Sequence, residues 1–308
     1  MNVYRLSQIP DKRINVKAAF GLNIQACLPC FSTRNTLVPH TRFGFQFEKH
    51  TTLCILAGLI YNRRVLIVGQ HGTGKSTHIE QVCSRLNWAC VRINMDSCLS
   101  RLELIGRESI AKNQGKPTIK FKYGLLPWAV KRPIALVLDD YDACKPETKF
   151  VLNKLLETGG EISVPENGKI IRPCSSFRMI ATCNTLSGSY AGTYQENIAH
   201  LDRWSLVANA PDLDVCQELA LAKQVIKTTK LRHPAVKIVE LARLLRKLHA
   251  KGKLSMPLTI RGVLAWSELS IIFNSIGEAF KYAYLNKCIL SERQIVRSKY
   301  SEVFGTEC

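Results

Sequence analysis

Gly69-Gln70-His71-Gly72-Thr73-Gly74-Lys75-Ser76 follows the apolar run Val65-Leu66-Ile67-Val68 and leads into a stretch, Thr77 to Leu86, with helical spacing at Ile79, Val82, Cys83 and Leu86. A buried strand, a glycine turn and a helix start give a phosphate loop its context. Glycines let the backbone turn successive N–H groups onto one anion, and the helix N-terminus adds about half a positive charge there. Gly69, Gly72, Thr73, Gly74, Lys75, Ser76 and Thr77 are the expected phosphate and nucleotide contacts. Lys75 is spaced to reach the β- and γ-phosphates and Ser76 to offer its hydroxyl to Mg²⁺. The expected cofactors are ATP and Mg²⁺.

Downstream, Ile134-Ala135-Leu136-Val137-Leu138 runs unbroken into Asp139-Asp140. Such a run reads as a parallel strand covered on both faces, and acids at its carboxyl end stand at the ligand edge of the sheet. Asp139 is the expected Walker-B metal ligand, and Asp140 the candidate to orient the attacking water. Phe177 to Thr182 is a further strand, with Asn184 at its end able to hydrogen-bond both the water and the γ-phosphate. Ala89 to Asn94 and Ser205 to Ala208 complete the expected strands. Arg203 precedes the last of these; it is either a surface group or an arginine finger for a neighbour's nucleotide.

Two hairpins interrupt this alternation. One spans Glu108 to Lys122 and turns at Asn113-Gln114-Gly115-Lys116; the other spans Ile162 to Arg172 and turns at Pro165-Glu166-Asn167-Gly168. Helices are expected over Ile14–Phe20, Phe47–Leu59, from Ser100–Ile105 onward and over Pro146–Thr158, and the stretch Phe121 to Ala129 closes the first hairpin and starts another helix. Ser187 to Ala199 reads as a loop. Residues 212 to 308 read as helical throughout, with Leu241, Leu244, Leu245 and Leu248 forming one stripe and Arg261 opening a helix. The domains expected are an N-terminal extension (1–45), an α/β nucleotide-binding domain (46–210) and a helical lid (211–308).

The chain of 308 residues is 46% hydrophobic, as a globular protein is, yet no apolar run reaches the ~18 residues of a bilayer span. Met1 to Lys17 lacks the apolar core of a signal peptide, so a cytoplasmic location without membrane attachment is expected. Twelve scattered cysteines then read as reduced thiols. Cys27-Leu28-Pro29-Cys30 is the one CxxC, without a second pair to complete a tetrahedral zinc site. The formal charge of +19 would attract polyanions, but the 43 basic residues form no long run and no nucleic-acid-binding signature is present. Nucleic acid is not the expected partner.

The order of phosphate loop, hairpin, Walker B, hairpin, strand-end Asn, Arg and helical lid resembles AAA+ ATPases of the branch containing MoxR-like proteins and the magnesium-chelatase motor. Several stretches resemble the ATPase subunit of aerobic cobaltochelatase, CobS: Thr51 to Gly58, Tyr61-Asn62-Arg63-Arg64, His71 to Val82, Arg85 to Trp88, Ser100-Arg101, Leu104-Ile105-Gly106, Leu126 to Ala129, Leu201 to Trp204, and Leu285 to Cys288. The resemblance covers about residues 14–305, densely to 205 and more thinly beyond. It implies an α/β P-loop fold with two inserted hairpins and a helical lid. It implies ATP hydrolysis driving Co²⁺ insertion into hydrogenobyrinic acid a,c-diamide during cobalamin synthesis. It also implies a homo-oligomeric ring, a hexamer, with two partners: a subunit with an integrin-like domain and a large subunit holding cobalt and corrinoid. At matched positions Asn184 would be sensor 1, Arg203 the finger acting in the adjacent subunit, and Arg261 sensor 2. Three features depart from the family. Asp140 stands where the pattern has Glu, drawing the carboxylate about 1 Å back, and errors of that size cost on the order of 100-fold in rate. The loop before Arg203 is several residues shorter than the family's, and the strong basic charge and the Cys27/Cys30 pair are unusual for it. Alternatives from the same residues are a MoxR-like assembly chaperone for another metalloenzyme, a nucleic-acid-remodelling ATPase favoured only by charge, and a structural ring that binds ATP without turnover.

Overall fold

The computed structural model describes residues 9–113, 116–184, 186, 192–226 and 234–308. The chain packs as two units, one of residues 1–43, 47–70 and 75–210, the other of 44–46, 71–74 and 211–308.

The first unit is built on a five-stranded sheet, whose strands we number β1 (Val65–Val68), β2 (Ala89–Asn94), β3 (Ile134–Asp139), β4 (Arg178–Cys183) and β5 (Leu206–Asn209). Their spatial order is β5-β1-β4-β3-β2, and every neighbouring pair is parallel. Parallel strands need covered faces, and the sequence supplies apolar residues for both. Leu66, Leu136, Leu138, Met179 and Ala181 join one core with Leu126, Tyr141 and Trp204. Val65, Ile67, Ala135, Val137 and Ile180 join another with Ile55, Leu59, Ile79 and Val82. Residues alternate between the two cores along each strand, as pleat geometry requires. In-register pairing of Val65 with both Ile180 and Leu206 puts all carboxyl ends at one edge and all amino ends at the other.

The N-terminal segment belongs to this unit. Val16, Phe20, Cys30 and Phe31 bury against Ile79, Val82 and Trp88. Its short helix, Val16–Phe20, is capped by Asn15 and ends at Gly21 in the left-handed region. An antiparallel pair, Lys12–Asn15 with Cys27–Cys30, was not anticipated. Positions i and i+3 of a strand face opposite ways, and accordingly Cys30 is buried while Cys27 is exposed, both as free thiols. Among the described residues no cluster of three or more metal-ligating side chains occurs.

The inserted hairpins are Gly106–Asn113 with Lys116–Tyr123, and Ile162–Val164 with Lys169–Ile171. Gln114 and Gly115, at the tip of the first, lie outside the described residues, as do residues 185 and 187–191 of the expected loop and residues 227–233. The end of that loop is shorter than expected, because Ile198–Leu201 forms a helical turn capped by Asn197. The expected continuous helix from Pro146 to Thr158 is instead three short pieces, Pro146–Lys149, Phe150–Leu152 and Asn153–Leu156, the middle one a 3₁₀ turn.

The second unit is helical. Its helices are Val215–Ile226, Pro234–Ala250, Ile260–Ile272, Ile276–Ala283 and Leu290–Phe304. Trp266, Phe280, Leu241, Leu245, Val296 and Tyr300 form its core. Trp266 donates its indole N–H to the Ile276 carbonyl at 2.9 Å, so the largest side chain is buried with its donor satisfied. Glu218, 1% exposed, is held by Arg246, whose Nη2 reaches both carboxylate oxygens. No helix among the described residues is long and apolar enough to cross a membrane.

Candidate active site

The chemistry gathers at the carboxyl edge of the sheet. β1 ends at Val68 and β4 at Cys183; the Gly69 N–H donates to the Cys183 carbonyl at 3.1 Å, fixing where the loop leaves the sheet. A Cβ on Gly69 would come within 2.7 Å of the Ala210 carbonyl oxygen, so the chain passes only as glycine. Gly74 has φ +82° with nothing within 4 Å of its would-be Cβ, leaving open space before the first turn of helix Lys75–Arg85. A looped backbone, a free approach and a helix N-terminus suit a phosphate.

Lys75, 7% exposed, donates from Nζ to the Gly69 carbonyl (2.8 Å), the Gln70 carbonyl (3.0 Å) and Asn184 Oδ1 (3.0 Å). Burial lowers its ammonium pKa, against the pull of Asp140, Asp142 and Asp139. Three neutral acceptors thus hold a desolvated cation ready for an anion. Asn184 uses its other end on Asp140, with Nδ2 donating to Oδ1 at 3.0 Å. The expected sensor amide therefore bridges the expected lysine and the expected water-orienting acid.

Ser76 Oγ donates to Asp139 Oδ1. Hydroxyl and carboxylate side by side form a hard-oxygen pair of the kind that binds Mg²⁺. Thr182, which sequence reasoning passed over, donates to the same Asp139 oxygen, and its Oγ1 accepts the Asp140 N–H at 3.2 Å. The signal was there: Thr182 and Asn184 alternate on one strand face. Arg92 was missed too. Its Nε lies 3.5 Å from Asp139 Oδ2, and its Nη1 3.3 Å from Glu80 Oε1. Asp140 sits at φ +51°, a left-handed geometry that Asp tolerates better than most residues. Thr77 is half-buried in the same helical turn.

Lys75, Ser76, Asp139, Asp140 and Asn184 are thus brought together. Arg203 is not among them. It precedes β5, so it stands at the amino edge. There Nε lies 3.3 Å from Glu157 Oε1 and Nη1 donates to the Ala199 carbonyl. The four residues of β5 alone put about 10 Å between the edges. Arg261 lies exposed in the first turn of helix Ile260–Ile272, in the second unit. That unit includes residues 71–74, and within it Arg261 Nη1 is 3.4 Å from His71 Nε2. Gly72, at φ +81°, has no room for a Cβ, which would meet the Thr259 side chain at 2.7 Å.

Residues 64–197 match the AAA domain family of the dynein-related subfamily. The chain is 41% identical to aerobic cobaltochelatase subunit CobS of a Sinorhizobium species, over 98% of this chain and 93% of that protein. The chain belongs to the CobS family. More distantly, an uncharacterized protein of Staphylococcus haemolyticus is 26% identical over 73% of this chain and 84% of its own length. A solved structure of Thermotoga maritima RuvB aligns with 80% of this chain and 70% of its own, with 13% identity and a TM-score of 0.47. AAA domains use nucleotide, and this chain is a CobS-family ATPase. The order of parts read from sequence, with its two hairpins and helical C-terminal region, is that of the AAA fold.

Proposed function

We propose that the chain is the ATP-hydrolysing motor subunit of an aerobic cobaltochelatase, working in the cytoplasm on Co²⁺ insertion into hydrogenobyrinic acid a,c-diamide. The observation that carries this is the match to CobS over 98% of the chain, joined to a phosphate loop whose Lys75, Asn184 and Asp140 already form one hydrogen-bonded chain.

The residues divide the work as follows. Backbone N–H groups of residues 69–74 hold the β- and γ-phosphates, with Lys75 exchanging its carbonyl partners for phosphate oxygens. Ser76 and Asp139 would hold Mg²⁺, which when bound would neutralise charge on the phosphates. Thr182 and Arg92 steady Asp139. Asp140 takes the proton side of the attacking water, and Asn184 fixes that carboxylate against the phosphate. Arg261 serves as the sensor toward the γ-phosphate. Arg203, at the far edge of its own sheet, acts on the nucleotide of the next copy, which calls for a closed ring of at least two copies and, by family resemblance, six. A second subunit with an integrin-like domain and a large catalytic subunit would turn that cycle into metal insertion; cobalt and corrinoid are the large subunit's substrates.

The test is ATP turnover by the purified chain, alone and with the two other chelatase subunits, beside Lys75→Ala. Turnover stimulated by those subunits, lost in Lys75→Ala and accompanied by cobalt insertion, supports the reading. Turnover indifferent to them returns the chain to a MoxR-like role on another metalloenzyme. DNA-stimulated, salt-sensitive turnover would point to nucleic-acid remodelling instead.

A further inference from the structure

We propose that Tyr141 is a positioning residue that ties the Walker-B strand to the reach of Arg203, so that one subunit's own site sets the finger it offers to its neighbour. The inference rests on the trans-acting reading of Arg203.

Tyr141 follows Asp139-Asp140 directly and is fully buried. Its hydroxyl pairs with His200 Nε2. Its ring stacks on the His200 ring at 5.7 Å and 11°, and meets Trp204 edge-on at 5.4 Å and 82°. His200 and Trp204 flank Arg203 on either side. One aromatic side chain thus grips both ends of the short segment that presents the guanidinium, while its backbone continues from the catalytic acids.

The grip is polar and fully partnered. His200 Nδ1 pairs with Asn153 Oδ1 at 2.5 Å, so a neutral imidazole can donate from Nδ1 and accept the tyrosine hydroxyl at Nε2. Burial is the first cause that drives the His200 pKa down to about 4, with the Lys149 and Arg203 cations adding to it. Lys149 packs over the Tyr141 ring at 4.8 Å and pairs with Glu196, both ends of that ion pair being nearly inaccessible. A cleft of about 320 Å³, lined by Phe150, Gln195 and His200 among others, borders the helical turn that carries His200. The turn is therefore held from the Tyr141 side and has space beside it. A shift of Asp140 on nucleotide binding is carried along one residue of backbone to Tyr141, and from there to both flanks of Arg203. Apolar contact alone would pack the segment. The hydroxyl–imidazole bond adds direction, which is what a finger's aim requires.

Tyr141→Phe keeps the ring and removes only the hydroxyl. Steady-state ATP turnover, ATP binding and thermal unfolding are measured for the assembled wild-type chain, Tyr141→Phe, Arg203→Ala and the double variant. We expect Tyr141→Phe to lower kcat about tenfold with KM and ATP affinity within about twofold, and to cause no further loss in the Arg203→Ala background. Equal turnover in Tyr141→Phe, or a loss that multiplies with that of Arg203→Ala, overturns the coupling while leaving the finger intact. Full turnover in Arg203→Ala overturns the trans-acting reading itself. A Tyr141→Phe loss matched by weaker ATP binding or unfolding assigns the residue to plain structure and also overturns the proposal.

Discussion

The two edges of the central sheet are made of the same strands and differ in what they complete. At the carboxyl edge, Lys75, Ser76, Asp139, Thr182, Asp140 and Asn184 form a connected set of hydrogen bonds among residues from two strand ends and one helix. At the amino edge, Arg203 meets Glu157 and a carbonyl of its own turn. Under the proposed reading, the first edge takes its finger from the next copy and the second supplies one. A single chain carries both halves and cannot join them, because the sheet stands between.

Substitutions sharpen this contrast in decreasing order of effect. Lys75→Ala should abolish turnover, by about 10³-fold or more in kcat, since it removes the charge at the transferring phosphate; a steady-state assay checks it. Arg203→Ala should cost about 10³-fold with ATP affinity little changed. Mixing the two dead variants should then restore part of the activity, because some interfaces join an intact loop to an intact arginine; no recovery at any mixing ratio would break the comparison.

Acid should loosen both edges together. His78 sits on the phosphate-loop helix, bonded to Thr52 at 2.8 Å, and burial takes it down to about 4, as it does His200 near Arg203. The folded state keeps both neutral where the unfolded chain, titrating near 6.5, binds protons. Stability is therefore whole above pH 6.5 and falls as pH drops toward 4, by on the order of 3 kcal/mol per histidine. Denaturant unfolding from pH 7 to 4 reads the slope, and His78→Gln should flatten it by about one proton.

Asp140→Glu should raise kcat about tenfold by moving the carboxylate toward the water; unchanged or lower turnover would mean that this site is shaped around Asp. Glu157→Gln should matter least, about twofold, because its ion pair with Arg203 is largely exposed.

Much of the carboxyl edge was legible because its residues sit in short local patterns. A glycine loop after an apolar run, acids after another and an amide after a third each announce themselves. Thr182 was equally local and was overlooked for want of the strand's alternation. Other features depend on partners distant in sequence. The Lys12–Asn15 strand has four residues and no periodicity of its own; only its pairing with Cys27–Cys30 defines it. The break in the helix after Pro146 follows no glycine or proline, since Phe150, 53% exposed, and Leu152, fully buried, answer to their surroundings. Tyr141 meets His200 and Trp204 across some sixty residues, and nothing in the sequence near Asp140 hints at it.

The register of β1 also carries a consequence for how the molecule comes to exist. Val65 pairs with Ile180 on one side and Leu206 on the other, so the strand that holds the phosphate loop has no sheet partner until nearly three-fifths of the chain has been made, and no second one until two-thirds. Contacts so distant in sequence are closed late and slowly. Until then Val65-Leu66-Ile67-Val68 is an apolar segment with open hydrogen-bonding edges on a growing ribosomal product. Nucleotide can therefore meet its loop only after the first unit is nearly synthesised, and a ligand that binds only that closed sheet draws the late step forward by mass action.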